Sequence, residues 1–245
     1  MKMDFKKLTF GTWVTIGNAS ICELISSFDF DWVCFDLEHS SLNYTDLYSL
    51  IPIVEKNLKL PVVRVARNDE VEIKRALDAG AKAIIIPNIK DKHEAKQAVN
   101  YCKYKPMGIR GVGLSRAQGY GFKFKEYLKI SNKIPLFLLI ENKEAIENLE
   151  EIISTKGVSG SIIGPYDLSA SIGKAGDFSD KKFVNAIKKY ERVCKKQKKI
   201  FGMHAVNDDV KQIKNKIKIG YRFIGIKLDT LLLGEACEKI LNDLK

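Results

Sequence analysis

The chain has 245 residues, of which 45% are hydrophobic and 29% charged, so it is long and apolar enough to bury a large core as one domain. No apolar stretch approaches the roughly 20 residues needed to span a bilayer, and the N-terminal Met1-Lys-Met-Asp-Phe-Lys-Lys lacks the apolar core of a signal peptide. A cytoplasmic protein without membrane partners is therefore expected. The formal charge of +11 raises nucleic acid as a partner. However, the densest lysines (Lys181, Lys182, Lys188, Lys189, Lys195, Lys196, Lys198 and Lys199) alternate with Phe183, Ile187, Tyr190 and Cys194 at helical spacing, as on a solvated helix face. A nucleic-acid binder would instead gather charge in a stripe beside aromatic stacking platforms, so no nucleic-acid partner is expected. Five scattered cysteines with no Cys-x-x-Cys spacing read as small buried hydrophobes in a reducing compartment.

In chain order, short apolar or β-branched runs predict strands near residues 9–16, 32–38, 60–66, 82–88, 134–141, 159–164, 200–205 and 221–228. Amphipathic stretches lie between most of them. Asn43 with Asp46, Asn68 before Asp69-Glu70, and Asn207 before Asp208-Asp209 place capping side chains and early acids at helix starts. The glycine-rich stretch Tyr104 to Tyr120, with Arg110 and Arg116, predicts a long functional loop, and Gly173 to Asp180 a second one. Repeated βα units at this length specify an α/β protein, a single (β/α)8 TIM barrel over residues 1–245 with no linker or composition shift to divide it.

Such a barrel projects its functional groups from the carboxyl ends of the strands. His39 closes Trp32-Val-Cys-Phe-Asp-Leu-Glu-His, Arg64 follows Pro61-Val-Val, Glu141 closes Ile134-Pro-Leu-Phe-Leu-Leu-Ile-Glu, Asp167 follows Ile162-Ile-Gly-Pro-Tyr, and Lys227 follows Phe223-Ile-Gly-Ile. Glu141 and Asp167, carboxylates after consecutive strands, offer oxygen ligands to a hard divalent cation; the alternative is that Asp167 caps a helix or that either acid pairs with a lysine. Arg64 suits a carboxylate or enolate through its planar fork, or a salt bridge with a neighbouring acid. His39 can move a proton near neutral pH, with Asp36 or Asp78 orienting its other ring nitrogen. Glu38 is expected on the face opposite His39, holding the barrel. His204 on the seventh strand is either a substrate contact or a packed core residue.

The set Gly11-Thr-Trp13, Phe35-Asp-Leu-Glu-His39, Pro61-Val-Val-Arg64 with Asn68-Asp69, Ile73-Lys-Arg-Ala-Leu-Asp78-Ala-Gly, Ile86-Pro-Asn, Gly108-Ile-Arg-Gly, Ile140-Glu141 and Ile163-Gly-Pro-Tyr-Asp167-Leu-Ser resembles the HpcH/HpaI aldolase family along nearly the whole chain. The resemblance implies a metal-dependent pyruvate aldolase acting on 4-hydroxy-2-oxo acids, such as hydroxy-oxoheptanedioate or 2-keto-3-deoxy sugar acids. It implies that Glu141 and Asp167 hold Mg²⁺, Mn²⁺ or Co²⁺, that Arg64 stabilises the pyruvate enolate together with the metal, and that His39 is the acid/base with Asp78 or Asp36 behind it. Trp13, Gly164 and Pro165 then line the substrate site. Relatives usually carry a small residue where this chain has Lys227, which would let that lysine meet an acidic or phosphorylated substrate tail, or simply face solvent. The resemblance also implies a homo-oligomer, a hexamer with exchanged C-terminal helices, to which the apolar tail Leu231-Leu-Leu-Gly-Glu-Ala-Cys fits. The alternatives are a citramalyl- or malyl-type CoA-thioester lyase on the same barrel and a non-catalytic barrel that binds without turnover.

Overall fold

The computed structural model describes residues 3–207 and 209–245. Eight parallel strands close into one barrel in sequence order: β1 (Thr9–Val14), β2 (Trp32–Asp36), β3 (Leu60–Arg64), β4 (Ala83–Ile86), β5 (Leu136–Ile140), β6 (Gly160–Ile163), β7 (Ile200–Ala205) and β8 (Phe223–Leu228). Each falls within a predicted run, one or two residues shorter at most ends, because the flanking residues bend away once the ladder stops. Around them pack α1 (Ala19–Ser27), α2 (Tyr44–Lys56), α3 (Glu70–Ala79), α4 (Lys92–Cys102), α5 (Phe124–Ser131), α6 (Lys143–Glu147), α7 (Leu149–Ser154), α8 (Pro165–Ser171), α9 (Lys181–Lys196), α10 (Val210–Ile219) and α11 (Asp229–Asp243). The expected (β/α)8 barrel is what the chain forms.

Local chemistry accounts for the helix starts. Asn43 accepts from the Thr45 and Asp46 amides while Asp46 accepts from the Asn43 amide, a reciprocal capping box at α2. At two other starts the cap lies one or two residues beyond the expected asparagine: Asp69 caps α3 and Asp209 caps α10. Asn68 donates instead to the Glu94 carbonyl and Asn207 to the Tyr166 hydroxyl. Asp208, also expected at the α10 start, lies outside the described residues. Among the described residues no helix is long and apolar enough to cross a membrane.

The barrel interior is filled, as this architecture requires. Trp32, Phe137 and Phe223 stack across it, with ring centroids 4.3 and 4.4 Å from Phe223. Phe5 meets the edges of Phe137 and Phe223 from the N-terminal segment. Gly11 makes room for this: a Cβ there would sit 2.0 Å from the Trp32 indole. A second, larger apolar layer lies between the strands and the helices, so the barrel is rigid on both faces.

Closure is latched at the mouth. Buried Asp229, the first residue of α11, accepts from the Thr15 amide (2.8 Å), the Ile16 amide (2.8 Å) and the Thr15 hydroxyl (2.6 Å), tying the end of β8 to the end of β1. Asp229→Ala orphans two amides and is expected to cost about 3 kcal/mol, seen as a fall in thermal midpoint; an unchanged midpoint would show that the β1–β8 ladder closes the barrel unaided.

Candidate active site

Asp36 and Arg64 are the last residues of β2 and β3 and are register partners. The Arg64 Nε and Nη2 donate to Asp36 Oδ1 (2.8 Å) and Oδ2 (2.6 Å), a bidentate pair with both side chains largely buried. Burial alone would raise the Asp36 carboxyl, but the hydrogen bonds and charge of Arg64 hold it below its ordinary value. The guanidinium lies 4.7 Å from the Trp13 ring centroid, and Trp13 in turn packs on the His204 ring at 4.9 Å. The salt bridge left open for Arg64 in the sequence is thus present.

Immediately after Asp36 the alternation of strand faces fails. Asp36 Oδ1 also accepts from the amides of Glu38 (3.0 Å) and His39 (3.3 Å), folding the chain into a bend. Glu38 therefore turns inward, opposite to the expectation from strand periodicity, and places Oε2 3.2 Å from Arg64 Nη1. That oxygen is buried and lacks a hydrogen-bond partner among the described residues. Burial pushes the Glu38 carboxyl up to about 7, with Arg64 opposing the shift and Glu141, Asp36 and Asp167 adding to it. The His39 side chain, 62% exposed, stands at the rim with Nε2 3.8 Å from Glu38. Asp36 meets His39 through its backbone and not through its ring.

Glu141 follows β5 directly. It is 7% exposed, and its Oε1 accepts from the Asn88 amide at 2.6 Å. Burial pushes its carboxyl up to about 7; the Asn88 hydrogen bond works against that and the Asp167 charge adds to it. Asp167 lies in the first turn of α8, whose cap is Gly164, so the carboxylate is not engaged as the N-cap. Gly164 must lack a side chain here, because a Cβ would come within 2.9 Å of the Glu141 Cβ and 3.1 Å of its Oε2. A cavity of about 190 Å³ gathers Trp13, His39, Arg64, Glu141, Gly164, Pro165 and Asp167, with Tyr166 and His204 beside them.

Three of the candidates do not line this cavity: Asp36, which stands behind Arg64, Asp78 and Lys227. Asp78, on α3, takes a 2.6 Å hydrogen bond from Nη2 of buried Arg110 and does not reach His39 within the chain. Lys227, the penultimate residue of β8, is in the left-handed region (φ +50°), where a residue without a Cβ sits more easily, and its ammonium pairs with Glu235 on α11. Its carbonyl, 2.9 Å from His204 Nε2, faces that ring instead. Burial lowers the His204 pKa to about 4, with Lys227 opposing, so the ring is neutral. Tyr166, which the quoted Ile163-Gly-Pro-Tyr-Asp167 motif contains without a role, also lines the cavity, as does Val206, at a position the sequence patterns did not single out.

Among the described residues no group of three or more metal-ligating side chains assembles. The Glu141–Asp167 pair nevertheless fits a divalent cation: the Asp167 charge adds to the raised proton affinity of buried Glu141, as an excess of negative charge awaiting a cation would, and Gly164 keeps the space beside Glu141 open.

A closed barrel with a mouth of carboxylates, an arginine and a histidine defines this chain as a (β/α)8-barrel enzyme. The sequence profile of the HpcH/HpaI aldolase/citrate lyase family matches residues 9–236. The 4-hydroxy-2-oxo-heptane-1,7-dioate aldolase of Escherichia coli is 33% identical over 233 residues, covering 94% of this chain and 88% of that one. The crystal structure of a family protein from Burkholderia cenocepacia superposes with a TM-score of 0.91 at 29% identity, covering 98% of this chain and 95% of the other. At 12% identity and a TM-score of 0.61, the Mycobacterium tuberculosis protein CitE in complex with magnesium and acetoacetate shares the fold, over 94% of this chain and 89% of its own. The chain belongs to the HpcH/HpaI aldolase/citrate lyase family and is a lyase.

The raised carboxyl of Glu141 has a defined sign for stability. Between its ordinary 4.5 and about 7, the folded protein binds more protons than the unfolded chain, so stability falls as pH rises through that window and stays lower above it. Glu141→Gln removes the penalty. In EDTA its thermal midpoint is expected to match the parent near pH 5 and exceed it by several degrees near pH 8, each kcal/mol counting for roughly 2–4 °C at this size; a variant no more stable at pH 8 would refute the raised carboxyl.

Proposed function

We propose that this chain is a metal-dependent aldolase that cleaves or forms a 4-hydroxy-2-oxo acid, with pyruvate and an aldehyde as the other partners. The observation that carries this reading is the convergence of Glu141 and Asp167 with Arg64 in one mouth, the arginine held in place by Asp36. Glu141 and Asp167 would hold Mg²⁺, Mn²⁺ or Co²⁺, which when bound supplies a Lewis acid for the 2-oxo oxygen.

The remaining work falls to the chain's own side chains. Asp36 occupies Nε and Nη2 of Arg64, and Nη1 lies 3.2 Å from Glu38 Oε2, so an oxyanion would meet Nη1 by taking the place of Glu38; the fork to Asp36 keeps the arginine preorganised to meet charge as it develops on the 2-oxo oxygen. Trp13, Gly164 and Pro165 form walls for the pyruvyl group. In the cleavage direction, His39 takes the proton from the C4 hydroxyl, the C3–C4 bond breaks to release the aldehyde, and its electron pair passes into the enolate of pyruvate. Protonation at C3 completes pyruvate. Asp36 acts as a positioning residue through Arg64 and through the His39 amide. Since Asp78 is held by Arg110 within its own chain, a role for it at His39 requires a neighbouring copy.

A homo-oligomer belongs to the same reading. Helix α11 buries Asp229 alone and presents Leu232, Leu233, Ile240 and Leu241 to solvent, with Leu244 just beyond its end, while Leu24, Phe28 and Val210 in or beside α1 and α10 are uncovered. Exchange of α11 between copies would bury both faces; the hexamer rests on family resemblance. The CoA-thioester alternative asks for basic groups to meet CoA phosphates, whereas among the described mouth residues Arg64 is the permanent cation and Asp36 holds it. Four buried, unpaired cysteines fit a reducing, cytoplasmic compartment.

Pyruvate release from a panel of 4-hydroxy-2-oxo acids, coupled to lactate dehydrogenase, should stop with EDTA and return with Mn²⁺ or Mg²⁺; EDTA-insensitive release would overturn the metal-dependent reading. Glu141→Ala should lower turnover by roughly 10³-fold or more, the size expected from losing several kcal/mol of charge stabilisation, with the far-ultraviolet circular dichroism of the barrel retained. Arg64→Lys cannot reproduce the fork to Asp36 and should lower kcat more than it raises KM; a pure KM effect would remove Arg64 from transition-state stabilisation.

A further inference from the structure

Beside the mouth lies a second cavity of about 260 Å³, between β6, β7, α9 and α10, that shares Pro165, Tyr166, His204 and Val206 with the first. A rim contact, the Asn207 amide donating to the Tyr166 hydroxyl, is exposed to solvent, so opening it costs little. Beyond that rim the walls are apolar and aromatic, formed by Phe178, Phe183, Ile187 and Met203. An apolar cavity of about 150 Å³ already accepts benzene, so this one has room for a ring or a chain of about six carbons.

The electrostatics of the cavity are equally specific. Lys216 is its cationic wall residue, but its ammonium lies 3.0 Å from Glu191 Oε1, which also accepts from the Tyr221 hydroxyl at 3.0 Å. The His204 ring is neutral and its Nε2 faces the Lys227 carbonyl. Lys227, the side chain expected to greet an anionic tail, is turned to Glu235. A carboxylate pushed into this space would lose its hydration and find no unpaired cation among the described lining residues, which is heavily unfavourable.

We propose that this side cavity is the subsite for the aldehyde half of the substrate, and that it selects an uncharged apolar or aromatic tail over one ending in a carboxylate. The inference rests on the aldolase reading above and gives it a substrate class. It separates this chain from a relative named for a heptane-1,7-dioate, whose substrate ends in a second carboxylate.

The test uses the full-length protein loaded with Mn²⁺ and begins with a measurement that involves no aldehyde: exchange of the pyruvate methyl protons with D2O, followed by NMR after the metal is removed. Aldol formation from pyruvate is then compared for hexanal, benzaldehyde, succinic semialdehyde and glycolaldehyde. Exchange should occur, and kcat/KM for hexanal and benzaldehyde should exceed that for succinic semialdehyde by at least about tenfold, the effect of about 1.4 kcal/mol. Ile187→Trp, which fills the cavity from α9, should lower the hexanal to glycolaldehyde ratio of kcat/KM at least tenfold, and the milder Ile187→Phe should move it the same way. Exchange with equal or reversed aldehyde preference, or an unchanged ratio in both variants, would overturn the subsite while leaving the enolate chemistry standing. Absence of exchange would overturn the aldolase reading and the inference with it.

Discussion

The buried pair between Asp36 and Arg64 is the contact on which the mouth of the barrel depends. Two charges removed from water are costly unless their geometry is good and their remaining valences are met. Here adjacent strands in register deliver them face to face, the arginine fork engages both carboxylate oxygens, and the same carboxylate caps the amides of Glu38 and His39. One interaction thereby fixes Arg64 at the cavity wall, turns Glu38 inward to Nη1 of the same arginine and sets His39 at the rim. The Trp13 ring beneath the guanidinium completes the support, since a π face attracts the cation without competing for its donors.

Around this pair the barrel concentrates negative charge in a place of low polarity. Glu38, Glu141 and Asp167 share the mouth, and burial together with mutual repulsion raises the proton affinity of the two glutamates. Such an arrangement survives only on a scaffold that cannot relax. The aromatic stack of Trp32, Phe137 and Phe223, sealed from below by Phe5 and latched above by Asp229, supplies that rigidity. Stability elsewhere thus supports a site whose charges are favourable to ligand binding and unfavourable to folding.

The uncovered apolar faces tell a complementary story. Helix α11 projects leucines and an isoleucine into solvent, and the long loop before α5 exposes Val112, Leu114 and Tyr120. Apolar side chains that find no cover in their own chain are the feature on which the proposed homo-oligomer draws.

Much of this was legible in the sequence. Apolar runs marked all eight strands, Asn43 with Asp46 marked a helix start, and Arg64, Glu141 and Asp167 gather as their places at strand ends implied. These features are local: burial periodicity and end-capping act over a few residues, and a closed parallel barrel converts position after a strand into position at the mouth. Tertiary structure alone decided which charged groups pair. Glu38 changed faces because Asp36 seized the following amides, Asp78 went to Arg110 thirty-two residues away, and Lys227 went to Glu235 on the next helix. The side cavity behind His204 belongs to the same class of fact, since its walls come from β6, β7, α9 and α10, which no local pattern joins. Side-chain type and spacing determine where a residue can be; its partner is chosen by whichever opposite charge, ring or void the folded chain places within a few ångströms.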